Sequence, residues 1–158
     1  MEIEARLRAL GYTLPTPSEA VANYISSVLV GDILFIGGNI GRFAGDPLKY
    51  RGKVGGTVSI EQAYEMARNC ALNHLAKMKA ALGDLDRVER IIKVTGYVAV
   101  APGFIDMPKV VNGTSDLFVE LWGERGRHTR AAIGVASLGD DAPVETEVTV
   151  QVRGEAGK

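Results

Sequence analysis

Arg130 opens a run of small and apolar residues, Ala131-Ala132-Ile133-Gly134-Val135. A guanidinium in that place is either a rim group paired with a neighbour or a planar fork aimed into a cleft. In a cleft its parallel N–H donors would match a carboxylate better than the point charge of a lysine. Further on, Val144-Glu145-Thr146-Glu147-Val148 sets two carboxylates on one face of an extended chain, because strand side chains alternate. Glu145 and Glu147 are then either a solvated face or, in a cleft, a catalytic one. His128 precedes Arg130 by two residues and would share its face, as a rim residue or as a second cleft group. Spacing alone leaves these alternatives open.

The remaining reactive side chains read more simply. His74 and Cys70 fall on the apolar side of a long helical stretch, as a satisfied, partly buried histidine and a small hydrophobe. Gly37-Gly38 with Gly41 has the look of a phosphate loop, but no Gly-Lys-Ser/Thr follows, which argues against nucleotide binding. The two histidines lie far apart and no Cys/His cluster occurs, so neither a metal nor a cofactor is expected. Arg42, Lys49, Arg51 and Lys53 read as a solvated basic loop.

The elements that must hold these groups follow from periodicity and punctuation. Residues 2–10 carry Ile3, Leu7 and Leu10 at helical spacing, with Gly11 as the stop. Residues 24–30 and 33–36 are two strand-like runs joined by Gly31-Asp32, a hairpin signal, closing at Gly37-Gly38-Asn39. Residues 41–58 hold five glycines and a proline, a loop composition. Ser59-Ile60-Glu61-Gln62 fits a capping box, and Ala63, Met66, Ala67, Cys70, His74 and Met78 then recur at helical spacing up to Gly83-Asp84. A strand is expected over 88–100 and a helix over 107–122 with Gly123 as its stop. Strands over 131–137 and 144–152 complete the order. The whole predicts an α+β sandwich, a mixed sheet with two helices packed on one face plus an N-terminal helix.

Size and charge bound the rest. A chain of 158 residues fits one domain, here 1–158, with 1–18 as an N-terminal extension helix and linker. Lys and Arg total 18 against 19 Asp and Glu, a net charge of -1. A nucleic-acid binder normally carries a basic excess, so nucleic acid is not an expected partner. Cys70 is the lone cysteine, which excludes an internal disulfide, and no apolar run is long enough to cross a membrane. With no apolar leader-like N-terminus, the chain reads as cytoplasmic.

The last third then becomes specific. Val111-Asn112-Gly113-Thr114-Ser115-Asp116-Leu117-Phe118, the segment from Gly126 through Arg130 to Leu138, and Pro143-Val144-Glu145 together closely resemble the Rid/YjgF family. That family's pattern is an arginine opening a strand, a Leu-Pro-like turn and a Val/Ile-Glu pair. The resemblance runs back through Phe35-Ile36-Gly37-Gly38-Asn39 and Val30-Gly31-Asp32 to Tyr24, and so covers about residues 20–152. The N-terminal helix and longer loops look like the longer-chain branch labelled endoribonuclease L-PSP.

The resemblance implies a chorismate-mutase-like fold and a homotrimer with a cleft at each subunit boundary. It also implies hydrolysis of small reactive 2-imino acids, such as 2-aminoacrylate, to 2-keto acids and ammonia. Residue by residue, Arg130 matches the arginine that binds the substrate carboxylate and Glu145 the glutamate that orients water. Tyr24 matches the family tyrosine, Gly38 the backbone-donor glycine and, allowing a small insertion, Asn112 the asparagine of the second helix. Ala132 stands where many members have cysteine, which leaves only its backbone carbonyl to hold a water. Gly37 replaces a frequent serine, and one hydroxyl contact goes with it. Those departures keep open a non-catalytic trimer that binds a small carboxylate, and the branch label keeps open an endoribonuclease or translation inhibitor.

Overall fold

The computed structural model describes residues 1–18, 20 and 22–154. Its elements are α1 (Glu2–Ala9), β1 (Ser27–Val30), β2 (Ile33–Asn39), α2 (Ile60–Leu82), β3 (Val88–Ala99), α3 (Met107–Trp122), β4 (Thr129–Val135) and β5 (Val144–Val152). The strands form one mixed sheet in the order β1-β2-β5-β3-β4. Only β3 and β4 run parallel, because α3 carries the chain back across the sheet between them. The other neighbours are antiparallel. This is the expected α+β sandwich. No helix among the described residues is long and apolar enough to cross a membrane.

Local chemistry explains the borders. The Ser59 hydroxyl accepts from the Gln62 N–H at 3.1 Å while the Gln62 side chain accepts from the Ser59 N–H at 3.0 Å, starting α2 as a capping box. Gly83, at φ 77°, ends it in the left-handed region. Alternation along β5 buries Val144, Thr146, Val148, Val150 and Val152 beneath the helices and turns Glu145 and Glu147 to the other face. α2 and α3 lie unusually close at Gly113, where a Cβ would collide with the Tyr64 carbonyl of α2. Thr114 adds a hydrogen bond to the Ala67 carbonyl at 2.6 Å.

Two expectations need correction. Gly37-Gly38-Asn39 does not close the hairpin, because β2 continues through Asn39. Pairing with β5 shifts by one residue between Ile36↔Val148 and Asn39↔Thr146, a β-bulge that the two small residues permit. Nor are the basic residues of 41–58 merely solvated. Arg42 pairs with Asp140 at 2.6 Å and Arg51 donates to the Asp140 carbonyl at 2.8 Å. Lys53 reaches the Ala136 carbonyl and Lys49 pairs with Glu65. With Leu48, Val54 and Val58 buried beneath, the loop is strapped to the β4–β5 turn and to α2.

A buried polar node fixes the bulge. The ring of His74, fully buried on α2, lies 3.0 Å from the Thr146 carbonyl through Nε2. That carbonyl can only accept, so Nε2 carries the proton and Nδ1 takes a bond from the Asn39 amide at 3.3 Å. Cys70 donates to the Asn39 carbonyl at 3.2 Å. Burial, and then the charge of Lys77, push the His74 pKa down to about 3, so the ring is neutral.

Two outcomes follow from this packing. Gly113→Ala should lower stability by about 1–3 kcal/mol in urea titration through overpacking of α2 against α3. Below pH 6.5 the unfolded chain gains a proton at His74 that the folded chain refuses down to about pH 3, so stability falls through that window. Replacing the ring by His74→Gln should flatten that slope by up to about 1.4 kcal/mol per pH unit. Urea midpoints measured from pH 7 to 4.5 read it directly, and an unchanged slope would contradict the assignment.

Candidate functional site

One group of residues gathers where the β2 bulge meets the start of β5. Glu145 is the second residue of β5, opposite Tyr97 of β3. Its carboxylate lies against the backbone of β2, and a Cβ at Gly38 would collide with Oε1 and stand only 3.1 Å from Cδ. Glycine at 38 is thus what lets the carboxylate occupy this place. Together with Tyr24, Ser26, Gly37, Arg42 and Lys77 these residues line a cleft of about 400 Å³. Tyr24 is well exposed at its rim. Half-burial raises the pKa of Glu145 above the ordinary 4.5, the neighbouring Glu147 charge adds to this, and Lys77 partly offsets it. A carboxylate tuned upward in a cleft suits proton transfer to and from a bound water.

A second group forms on the edge strand. Arg130, the second residue of β4, turns towards α3 and donates through Nη1 to Asn112 at 2.8 Å and to the Ser115 hydroxyl at 3.1 Å. Nη2 reaches the Pro108 carbonyl at 3.4 Å. His128 completes the chain: its Nδ1 donates to the Gly126 carbonyl at 2.6 Å, leaving Nε2 to accept from Ser115 at 2.9 Å. Burial, despite the Gly126 bond, lowers the His128 pKa, and the Arg130 charge lowers it further. His128 therefore acts as a support for Arg130 through Ser115. Ala132 lies partly buried against the core, with no polar side chain to offer.

The two groups do not meet within one chain. Arg130 sits on β4 and Glu145 on β5, with β3 between them. Arg130 lies against α3, whereas Glu145 projects from the face opposite the helices. The sequence-based set thus divides into Tyr24, Gly38 and Glu145 on one side and Arg130, Asn112 and Ala132 on the other. Sequence reasoning missed Ser115 and Lys77. Ser115 lies one helical turn from Asn112, a spacing that puts both on one face of α3. Lys77 follows His74 by three residues on the apolar stripe of α2, where a lysine is out of place.

Residues 4–139 match the family model described as "YjgF/chorismate mutase-like, putative endoribonuclease". The chain is 38% identical over 152 residues to Protein TCP17 of Trypanosoma cruzi, covering 95% of this chain and 94% of that one. A solved protein of unknown function from Agrobacterium tumefaciens superposes with a TM-score of 0.89 at 41% identity, covering 96% and 92% of the two chains. A solved "putative endoribonuclease" from Shewanella oneidensis gives 0.91 at 30% identity over 96% of this chain and all of its own. A RidA protein from Psychrobacter, at 24% identity and a TM-score of 0.60 over 89% and 97% of the chains, shares the fold. With the family match spanning most of its length, the chain belongs to the YjgF/chorismate mutase-like (Rid) family.

Proposed function

We propose that the protein hydrolyses small 2-imino acids to 2-keto acids and ammonia. It does so as a homotrimer in which Arg130 of one subunit and the Tyr24–Gly38–Glu145 cleft of its neighbour form one site. The observation that carries this reading is the state of Arg130. Neutral acceptors hold it in place, and it has no carboxylate partner among the described residues. A guanidinium fixed but not neutralised is ready for a carboxylate ligand. The sheet face opposite the helices supplies a surface for assembly, since Val28, Phe35 and Ile133 are exposed.

In the joined site Arg130 would hold the substrate carboxylate, and much of the rate would come from that positioning. Glu145 takes a proton from water as its oxygen adds to the iminium carbon. The same proton goes to the nitrogen of the tetrahedral adduct, and as the C–N bond breaks the hydroxyl proton passes back to Glu145, leaving a carbonyl and ammonia. The Gly38 N–H is the donor for the polarised substrate, and Tyr24 closes the rim. Because an iminium is already electrophilic, the step asks for no Lewis acid.

A binding-only role is the second reading, favoured by Ala132 and Gly37, which remove a thiol and a hydroxyl from the two halves. Calorimetry with pyruvate beside a null rate would select it. RNA cleavage fits less well: His74 is buried and neutral, and His128 is engaged by Ser115 and Gly126, which leaves no exposed histidine acid/base pair.

With 2-aminoacrylate generated by a dehydratase, pyruvate release should exceed the buffer rate. Arg130→Ala and Glu145→Gln should each lower it by about 100-fold or more. A wild-type rate equal to buffer sinks the deaminase reading. The acid limb of the kcat/KM profile should have its midpoint above 4.5, because Glu145 must be ionised to take the proton. Removing a repelling charge with Glu147→Gln should shift that midpoint down, and removing an attracting one with Lys77→Met should shift it up. Shifts in the opposite sense would assign the limb to another group.

A further inference from the structure

Lys77 enters the hydrolysis just described only as a charge near Glu145, and its setting is unusual. It belongs to the stripe of α2 that carries Cys70 and His74, and only 6% of the residue is exposed. A lysine this deep normally meets a carboxylate, since an unpaired buried ammonium is costly. Among the described residues Lys77 has neither an ion pair nor a hydrogen-bond partner, although it lines the same cleft as Glu145 and Arg42. Its neighbours do not supply a counter-charge of full strength. Cys70, its thiol pushed up to about 12 by burial, is uncharged near neutrality. His74 is neutral as well. Cys70 and then Glu145 bias Lys77 the other way, and Glu145 is itself tuned towards its protonated form. Lys77 reaches the cleft, so its amine is not sealed from a ligand.

We propose that Lys77 is a carbonyl-reactive amine of this cleft, one that condenses reversibly with a small 2-keto acid to form an imine. Burial lowers the pKa of Lys77, against the partial pull of Cys70 and then Glu145, so a larger share of free amine exists near neutral pH than on an exposed lysine. In the step, the Nζ lone pair adds to the ketone carbon and the carbonyl π pair moves to oxygen. A proton passes from nitrogen to that oxygen, giving a carbinolamine. Loss of the hydroxyl as water, with the second Nζ proton released to Glu145 and returned to the departing oxygen, leaves C=N. Water reverses the sequence, and no oxidant or reductant enters. The keto-acid class rests on the hydrolytic reading above, whose product it is. The amine's reactivity rests on Lys77 alone.

The experiment incubates the full-length protein at pH 7 with pyruvate and sodium cyanoborohydride, which traps an imine as a stable secondary amine. Intact mass and peptide mapping then read the product. The expected result is one reduced adduct per chain, on the peptide holding Lys77. Lys77→Met should lose it, while Lys79→Met, at the partly buried partner of Glu4, should retain it. Should Lys77→Met fail to fold, mapping of the wild-type adduct decides alone. Labelling absent from Lys77, or spread evenly over exposed lysines such as Lys93 and Lys109, would overturn the proposal. A Lys77 adduct without pyruvate release from 2-aminoacrylate would leave the amine assignment standing and remove the deaminase reading. Release without an adduct would do the reverse.

Discussion

At the end of β2 one extra residue is fitted against β5, and at Gly38 the absence of a side chain lets the Glu145 carboxylate rest on the backbone. That close approach governs the rest of the cleft. It half-buries an acid that would otherwise sit on an open sheet face, and burial is the leading cause of its raised pKa. The bulge survives because it is pinned from beneath. His74, Asn39, Cys70 and Thr146 satisfy one another in a largely buried node, which holds a locally irregular segment in one geometry. The helices serve the same end from a distance. Gly113 and Thr114 draw α3 against α2, and α3 then presents Asn112 and Ser115 to Arg130.

The two clusters solve opposite electrostatic problems. Arg130 is held in orientation by acceptors that carry no charge of their own. Glu145 is pushed towards neutrality by half-burial and by Glu147, with Lys77 opposing. Arg130 and Glu145 therefore stand on different strands and different faces of one sheet. Their separation within a chain is why the proposed site is one shared between subunits.

Much of the scaffold was legible because its signals are local. Ser59 and Gln62 start α2 as the capping box demands, Gly83 and Gly123 end the two long helices, and Gly31-Asp32 turns the hairpin. The strand over 144–152 appears with the same limits because its alternation is unbroken. What could not be read depends on partners distant in sequence. The bulge is a matter of register between β2 and β5, and Gly37-Gly38 on its own looks like a strand end. The basic loop looked solvated because its main acceptor, Asp140, lies nearly a hundred residues on. Arg130 and Glu145 are recognisable by type, yet nothing in their spacing tells that they project to opposite sides. Lys77 was hidden by the habit of reading a lysine as surface, although its place three residues after His74 put it on the buried stripe.

The central claim, that Arg130 and Glu145 work together from different chains, is tested most directly by mixing subunits. Arg130→Ala and Glu145→Gln proteins, each inactive alone, would be unfolded together, refolded as mixed trimers and assayed for pyruvate release from 2-aminoacrylate. If each cleft takes its arginine from one subunit and its glutamate from the next, random mixing restores both to roughly a quarter of the clefts, with a matching return of rate. A mixture that stays as inactive as either parent, although trimers form, would contradict the shared site.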